Sequence, residues 1–209
     1  MSRLIDISQP VRQGIAGFPG DTAYAETRHF AIGPGCPVNV ARITMSTHCG
    51  THADAPLHYA PDGAPIGALA LEPYVGPCRV IDARGPGALC TLDDIADKLD
   101  SAPPRILLRL AETTDPNRWP TGFRALSSDV IELLATRDVV LVGIDTPSVD
   151  PETSKDLPAH RAALRADMRI LENLVLAHVA PGDYELLALP VNLAGLDAAP
   201  VRAVLRTLG

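Results

Sequence analysis

Apolar residues occur along this chain in short runs separated by glycine and proline, a pattern typical of many brief elements joined by tight loops. Runs rich in branched side chains predict strands, because such side chains suit the pleated surface of a sheet. The predicted strands are Leu4–Ile7, Arg28–Ile32, Val38–Thr44, Arg79–Asp82, Ile106–Leu110, Val139–Ile144, Glu185–Leu189 and Val201–Leu205. The second and third would pair around the turn at residues 33–35, and the last run also suits a helix.

Three segments predict helices. Thr91 offers an N-cap before acidic residues, and Ile95 and Leu99 follow at helical spacing. Residues 128–134 repeat that design, and Pro158–Met168 begins with a proline that suits a first helical turn. Strands that alternate with capped helices predict the α/β class, here a mixed β-sheet core with flanking helices.

Composition and charge exclude several classes of protein. Hydrophobic residues make up 46% of the chain and charged residues 21%, and no repeat or linker divides it, so we expect one domain over residues 1–209. The net charge is −7 without a lysine or arginine cluster, which argues against nucleic acid as a partner. No apolar run reaches the roughly 18 residues of a membrane span. The four cysteines lack paired spacing and no leader precedes them, so we expect reduced thiols and a cytoplasmic protein.

Residues 48–58 contain three of the six histidines of the chain and one aspartate. These side chains are His48, His52, Asp54 and His58, all at even positions, so an extended chain would place them on one face. Gly50 and Pro56 argue against a continuous strand, and a helix would align only the first two histidines. We therefore expect a strand end that opens into a tight loop, with Gly50 allowing the backbone to approach an ion closely.

Two imidazoles and one carboxylate form a set that suits zinc or a similar divalent ion. His58 would then lie beside the ion as a general acid and base, because its ordinary pKa is close to neutral. A single histidine is usually structural, but three with an aspartate at this spacing favour a metal site. Cys49 is at an odd position, so its side chain would point away from the candidate ligands, which favours a packing role.

Further polar residues follow downstream. Asp145 comes directly after the apolar run 139–144, at the strand end where α/β proteins usually place their sites. His160 and Glu172 lie among apolar residues, and each of them considered alone is more typical of a structural residue than of a ligand.

The chain resembles a known family at several segments. Residues 48–58 read His-Cys-Gly-Thr-His-Ala-Asp-Ala-Pro-Leu-His and resemble the HxGTHxDxPxH signature of the cyclase-like metal hydrolases. Residues 143–155 and 170–174 are similar to the bacterial kynurenine formamidase (arylformamidase) branch, as are residues 18–21 and 189–205. The similarity covers nearly the whole chain and shows no departure at a matched metal position.

The resemblance implies a fold and a set of residue roles. It implies a swivelling β/β/α domain that forms a homodimer and uses two zinc ions per subunit, with manganese as an alternative. His48, His52 and Asp54 match the first metal site, and Asp54 bridges to a second ion held by His160 and Glu172. In a further match, His58 is the proton donor and acceptor, and Phe18 is an aromatic residue that contacts substrate.

The implied reaction is hydrolysis of N-formyl-L-kynurenine to L-kynurenine and formate, in tryptophan degradation. Two ions about 3.5–4 Å apart would generate hydroxide near neutral pH and stabilise the oxyanion formed by attack on the formyl carbon. His58 would carry the proton to the departing aniline nitrogen. Phe18 would stack on the aniline ring or else anchor its loop in the core. Trp119 and Tyr24 are further candidates for the pocket wall.

Two alternatives remain open on the sequence. An enzyme that opens a cyclic amide or imide, such as an isatin- or hydantoin-type ring, would need the same metal residues. A non-catalytic metal-binding or scaffold protein is the second alternative, although His58 is surplus to binding by three ligands.

Overall fold

The computed structural model describes residues 2–208. The strands are β1 (Leu4–Asp6), β2 (Ala25–Phe30), β3 (Val40–Thr44), β4 (His52–Asp54), β5 (Val75–Asp82), β6 (Leu89–Cys90), β7 (Arg105–Arg109), β8 (Ala125–Leu126), β9 (Leu141–Ile144), β10 (Arg169–Glu172), β11 (Gly182–Leu187), β12 (Ala198–Pro200) and β13 (Val204–Thr207). The helices are α1 (Leu92–Ile95), α2 (Ser128–Ala135) and α3 (Pro158–Arg165), with short 3-10 turns at Pro56–His58, Ile66–Ala68, Glu72–Tyr74 and Ala96–Lys98. None of these helices is long and apolar enough to cross a bilayer.

The main sheet has nine strands in the order β1-β13-β11-β5-β7-β9-β10-β4-β12. Its centre, β5-β7-β9-β10, is parallel, and the strands on either side pair antiparallel. Parallel strands are ordinarily buried on both faces, and β7 and β9 are buried over almost their whole length. This arrangement confirms the predicted α/β class, with a mixed sheet core and flanking helices.

The two faces of the sheet carry separate cores. Ile106 and Leu108 pack with the three helices, whereas Leu107 points to the opposite face, as the period of two requires. On that second face Ile7, after one edge strand, shares a core with Ala53 of β4 near the other edge. The sheet therefore curls until its two ends close over one apolar cluster.

The predicted helices form, with shifted ends. The backbone N–H of Thr91 donates to Asp94 Oδ2 at 2.7 Å, which caps α1, and Ile95 and Leu99 are buried as their spacing predicted. The prediction for Pro158–Met168 was too long, because α3 ends at Arg165. The chain then turns through Asp167, at φ +50°, to begin β10.

The last predicted strand is a strand and not a helix, beginning at Val204. The predicted antiparallel pair forms as β2 and β3, although β2 begins three residues earlier than predicted and ends at Phe30, and β3 begins at Val40. This hairpin is a separate two-stranded sheet. Every residue of its two strands is exposed.

The strands nearest the histidine-rich segment are all short. β4 has three residues and lies between β10 and β12, pairing antiparallel with both. The expected strand end within residues 48–58 is β4, which runs into the 3-10 turn at Pro56–His58. The sequence pattern did not predict β10 or β12, because each is too brief to show an alternation of polar and apolar positions. The three strands nevertheless place residues 52, 54 and 172 side by side.

Candidate metal centre

The centre begins with the fully buried strand β4. His52 and Asp54 project to the same face, and Ala53 between them packs into the core on the other face. His52 lies opposite Glu172 in the register with β10, which brings that carboxylate to the same face. His52 and Asp54 therefore share one face, as their even positions in the sequence predicted.

A hydrogen bond to the backbone orients the His52 ring. Gly50 has φ +69°, a conformation that glycine adopts without strain, and its carbonyl accepts from His52 Nδ1 at 2.8 Å. The Nε2 atom therefore carries no proton when the ring is neutral. It lies 3.4 Å from Asp54 Oδ1 and 3.4 Å from Glu172 Oε2.

His48 approaches Asp54 from the turn before β4. Its Nδ1 lies 3.2 Å from Asp54 Oδ1, and its Nε2 lies 3.1 Å from Asp197 Oδ2. A carboxylate on the outer nitrogen holds the ring in one orientation and leaves the inner nitrogen directed at the centre, as is common for metal-binding histidines.

His160 reaches the centre from the first turn of α3. Its Nε2 lies 3.3 Å from Asp54 Oδ2, and its Nδ1 lies 2.7 Å from Asp150 Oδ2. Asp150 also accepts the backbone N–H groups of Ala159 and His160, both at 3.0 Å. One buried carboxylate thus caps the helix and aims the ring.

The two oxygens of Asp54 serve different neighbours. Oδ1 faces His48 and His52, and Oδ2 faces His160. Glu172 lies between the rings of His52 and His160, with Oε1 3.8 Å from His160 Nε2. The same Oε1 atom accepts the N–H of Val149 at 2.8 Å. The Asp54 carboxylate, whose two oxygens face different histidines, suits a position between two cations.

Two buried atoms of the centre lack a hydrogen-bond partner among the described residues, namely His52 Nε2 and Asp54 Oδ1. A buried polar atom without a partner costs about 1–3 kcal/mol, so such atoms call for an explanation. The 3.2–3.4 Å separations around Asp54 Oδ1 exceed an ordinary charge-assisted hydrogen bond. They match two donors that share one tetrahedral ion at ~2.1 Å, which lie roughly 3.4 Å apart. The donor set therefore fits a metal ion.

The centre is strongly polarised. Burial alone would lower the pKa of His52, but Asp54 and Glu172 outweigh it and raise that pKa to about 10. Burial likewise opposes charge on His160, but Asp150 and Asp54 raise its pKa to about 10. Burial would raise the pKa of Asp54, yet the three histidines hold it well below the ordinary value. Without metal the centre therefore retains protons, which a bound cation would displace.

His58 lies at the exposed edge of the centre, where a ring nitrogen is within 4.8 Å of ligand atoms of Asp54 and His160. It ends the 3-10 turn at 56–58, and its ring centroid is 4.2 Å from that of His48. Its Nδ1 is 3.6 Å from Asp197 Oδ2. Burial lowers the pKa of His58, so its ring is neutral near pH 7 and able to accept a proton. Gly63 packs against this turn, since a Cβ there would lie 2.2 Å from the carbonyl carbon of Pro56.

A cavity of about 360 Å³ opens directly above the centre. Its floor is formed by four histidines and Glu172, and one wall is aromatic, formed by Phe18, Trp119 and Phe123. The Phe18 and Trp119 rings meet edge to face at 5.5 Å. Phe18 lines the cavity and is 52% exposed, so it does not anchor its loop in the core.

A larger depression of about 860 Å³ lies elsewhere, beside Arg79, Arg84 and Lys98. Its arginines are already paired, Arg79 with Asp183 and Arg84 with Asp82. It contains no histidine, so the smaller cavity is the one that carries the candidate chemistry.

The structure brings the five predicted ligands together, with His58 and Phe18 on the same cavity. Sequence reasoning missed Asp150 and Asp197, which orient His160 and His48, because only the tertiary fold makes them neighbours. Asp197 also forms a candidate ligand group with His48 and His58.

Other residues singled out from the sequence lie outside the centre. Asp145 is buried and accepts the N–H groups of Leu110 and Ala111, so it joins the ends of β7 and β9, and burial raises its pKa to about 6. Cys49 and Tyr24 pack together in a small apolar cluster, and the four cysteines are unpaired.

Known proteins share this fold. A solved structure described as a potential metal-dependent hydrolase with cyclase activity superposes with a TM-score of 0.86 at 29% identity and 100% coverage of both chains. An isatin hydrolase bound to the product analogue thioisatinate gives a TM-score of 0.87 at 18% identity, over 100% of this chain and 93% of that one, and shows the shared fold.

Sequence relatives are closer. A kynurenine formamidase of Polaromonas naphthalenivorans (strain CJ2) is 54% identical over 206 residues, which cover 99% of this chain and 92% of that protein. A kynurenine formamidase of Bordetella petrii (strain ATCC BAA-461 / DSM 12804 / CCUG 43448) is 53% identical over the full length of both. The putative cyclase family matches residues 5–151. The chain therefore belongs to the putative cyclase family, and these two full-length relatives in it are kynurenine formamidases.

Proposed function

We propose that this protein is a metal-dependent arylformamidase that hydrolyses N-formyl-L-kynurenine to L-kynurenine and formate. The observation that carries the proposal is the convergence of five ligand-type side chains beneath an aromatic-walled cavity. The names of the full-length relatives support the same substrate.

The metal would be held in two places that share one carboxylate. His48, His52 and Asp54 would form the first set, and Asp54, His160 and Glu172 the second. Nitrogen and carboxylate donors suit zinc, with manganese as the alternative if it is more available. When bound, such ions polarise a carbonyl oxygen and acidify water near neutral pH.

His58 would move the proton in this reaction. As a neutral base it accepts a proton from the attacking water, and as an acid it donates that proton to the aniline nitrogen as the amide bond breaks. Asp197 would hold the ring through Nδ1, which leaves Nε2 for the proton transfer. Phe18 and Trp119 would position the aniline ring over this residue.

Removal of metal tests the function directly. We expect the purified protein to hydrolyse N-formyl-L-kynurenine, to lose essentially all activity after chelation, and to recover it with added zinc. Absorbance of the product kynurenine follows the reaction, and isatin serves as the comparison substrate. Equal turnover of isatin would favour the cyclic-amide alternative, and no turnover of any amide by the metal-loaded protein would favour a non-catalytic role.

The β2–β3 hairpin supports a homodimer, which we propose for the protein in the cytoplasm. An isolated two-stranded sheet is marginally stable in water, and this one exposes Phe30 by 50% and Val40 by 43%, which lie opposite each other on one face. A second copy of the chain would cover this apolar face. Light scattering is expected to give the mass of a dimer, with Val40→Asp shifting the population to monomer. A monomeric wild type would contradict this proposal.

A further inference from the structure

The cavity above the metal centre has one cationic side chain apart from its histidines. Lys155 is the sole lysine or arginine among the residues that line it. No carboxylate oxygen of residues 2–208 lies within 4.0 Å of its ammonium group. The other lysine of the chain, Lys98, has hydrogen-bond partners for its ammonium group, because its Nζ donates to the backbone carbonyls of Asp82 and Asp94. Lys155 therefore offers an unpaired positive charge to whatever occupies the cavity.

Glu152 places a negative charge on the same loop. Its Oε1 accepts the indole N–H of Trp119 at 3.1 Å, which fixes the carboxylate against the aromatic wall. The second oxygen, Oε2, forms no hydrogen bond or ion pair with residues 2–208. Glu152 and Lys155 thus present one free anionic atom and one free cation, three positions apart.

The loop that carries both charges is tied to the metal centre. Its beginning is held by the N–H of Val149 on Glu172, and Asp150 orients His160. Its end is held by the N–H of Leu157, which donates to Ser154 Oγ at 3.1 Å. The backbone of the loop is therefore held at the metal centre by the same residues that build the centre, and the exposed Lys155 side chain extends from it at the cavity.

We infer that Lys155 and Glu152 form the subsite for a zwitterionic α-amino acid head on the substrate. Lys155 would pair with the carboxylate of that head, and Glu152 Oε2 with its ammonium group. The inference rests on the proposed function, since it assigns the groups that recognise the part of the substrate away from the formamide. A cyclic amide without charged substituents would make no use of this pair.

Two substrates separate head recognition from chemistry. N-formyl-L-kynurenine carries the amino acid head, and 2′-formamidoacetophenone is the same aryl formamide without it. Lys155→Met is expected to raise KM for the first substrate by about 5- to 10-fold, as for a partly screened charge pair, with little change in kcat. KM for the headless substrate should not change. Lys155→Arg should recover most of the loss, and Lys98→Met should behave as wild type.

A third substrate separates the two charges. The deaminated analogue 4-(2-formamidophenyl)-4-oxobutanoate keeps the carboxylate and lacks the ammonium group. Its KM should respond to Lys155→Met but not to Glu152→Gln, a variant that keeps an acceptor for Trp119. N-formyl-L-kynurenine should respond to both substitutions.

The outcomes distinguish this subsite from the function itself. Equal KM changes for the substrates with and without the head, or no change with Lys155→Met, would overturn the subsite and leave the arylformamidase function standing. Failure of the metal-loaded wild type to hydrolyse any of the three formamides would overturn the function, and the subsite with it.

Discussion

Replacement of His58 by alanine is expected to leave the metal content unchanged and to lower kcat by about 10²–10⁴-fold, the usual contribution of a positioned acid and base. The metal stays because the five ligand-type side chains contact one another without His58, whose closest carboxylate contact is the 3.6 Å approach to Asp197. The turnover falls because, without a proton from His58, the nitrogen would have to leave as an anilide anion, which is too strong a base to be expelled. Elemental analysis and steady-state kinetics on the same preparation measure the two quantities.

The matched control is His178→Ala, which removes an exposed histidine whose ring donates to the carbonyl of Asp6, at the surface. That variant should keep both metal and turnover. Asp197→Asn is a companion variant, since an amide at this position weakens the contact with His58 while retaining the shape. Full turnover in His58→Ala would remove His58 from the mechanism. Loss of metal in that variant would instead make His58 a ligand, as the candidate group with His48 and Asp197 allows.

Much of the sheet was predictable, because its central strands are long enough to show their pattern. The runs 106–110 and 139–144 are β7 and β9, displaced by at most two residues. The order of strands was not predictable, since β4 lies between β10 and β12 through pairings that no local pattern encodes. The parity of His52 and Asp54 indicated a strand end at β4, but it could not indicate which strands pair with it.

The sequence predicted the contacts of the candidate centre between residues that are close in the chain, but not those between residues that are far apart. His52 and Asp54 share a face for the reason the sequence gives, the alternation of side chains along an extended segment. His160 contacts Asp54 across 106 residues of chain, and residue patterns alone favoured a structural role for it. Only the family resemblance indicated otherwise. Asp150 and Asp197 had no such signal, because their contacts arise from the helix cap of α3 and from the position of β12.

Replacement of Glu172 by alanine is expected to lower the metal content by about one ion per chain and to abolish most turnover. In the proposed arrangement Glu172 completes the second set of donors, with Oε1 3.8 Å from His160 Nε2 and Oε2 3.4 Å from His52 Nε2. The first set keeps His48, His52 and Asp54 without it. A site with one carboxylate and one histidine holds a divalent ion weakly, because zinc sites in proteins ordinarily have at least three protein ligands. Elemental analysis after gel filtration gives the number of ions directly.

Folding must be separated from binding in this test, because Glu172 also accepts the N–H of Val149 and supports the loop that leads to α3. Glu172→Gln keeps an oxygen for that N–H and removes the negative charge, so it should lose the same ion with less change in thermal stability. Glu132→Gln, which alters an exposed partner of Arg165, is the surface control and should keep both ions. Two ions per chain in both Glu172 variants would make Glu172 a structural residue and would leave the second set without its carboxylate.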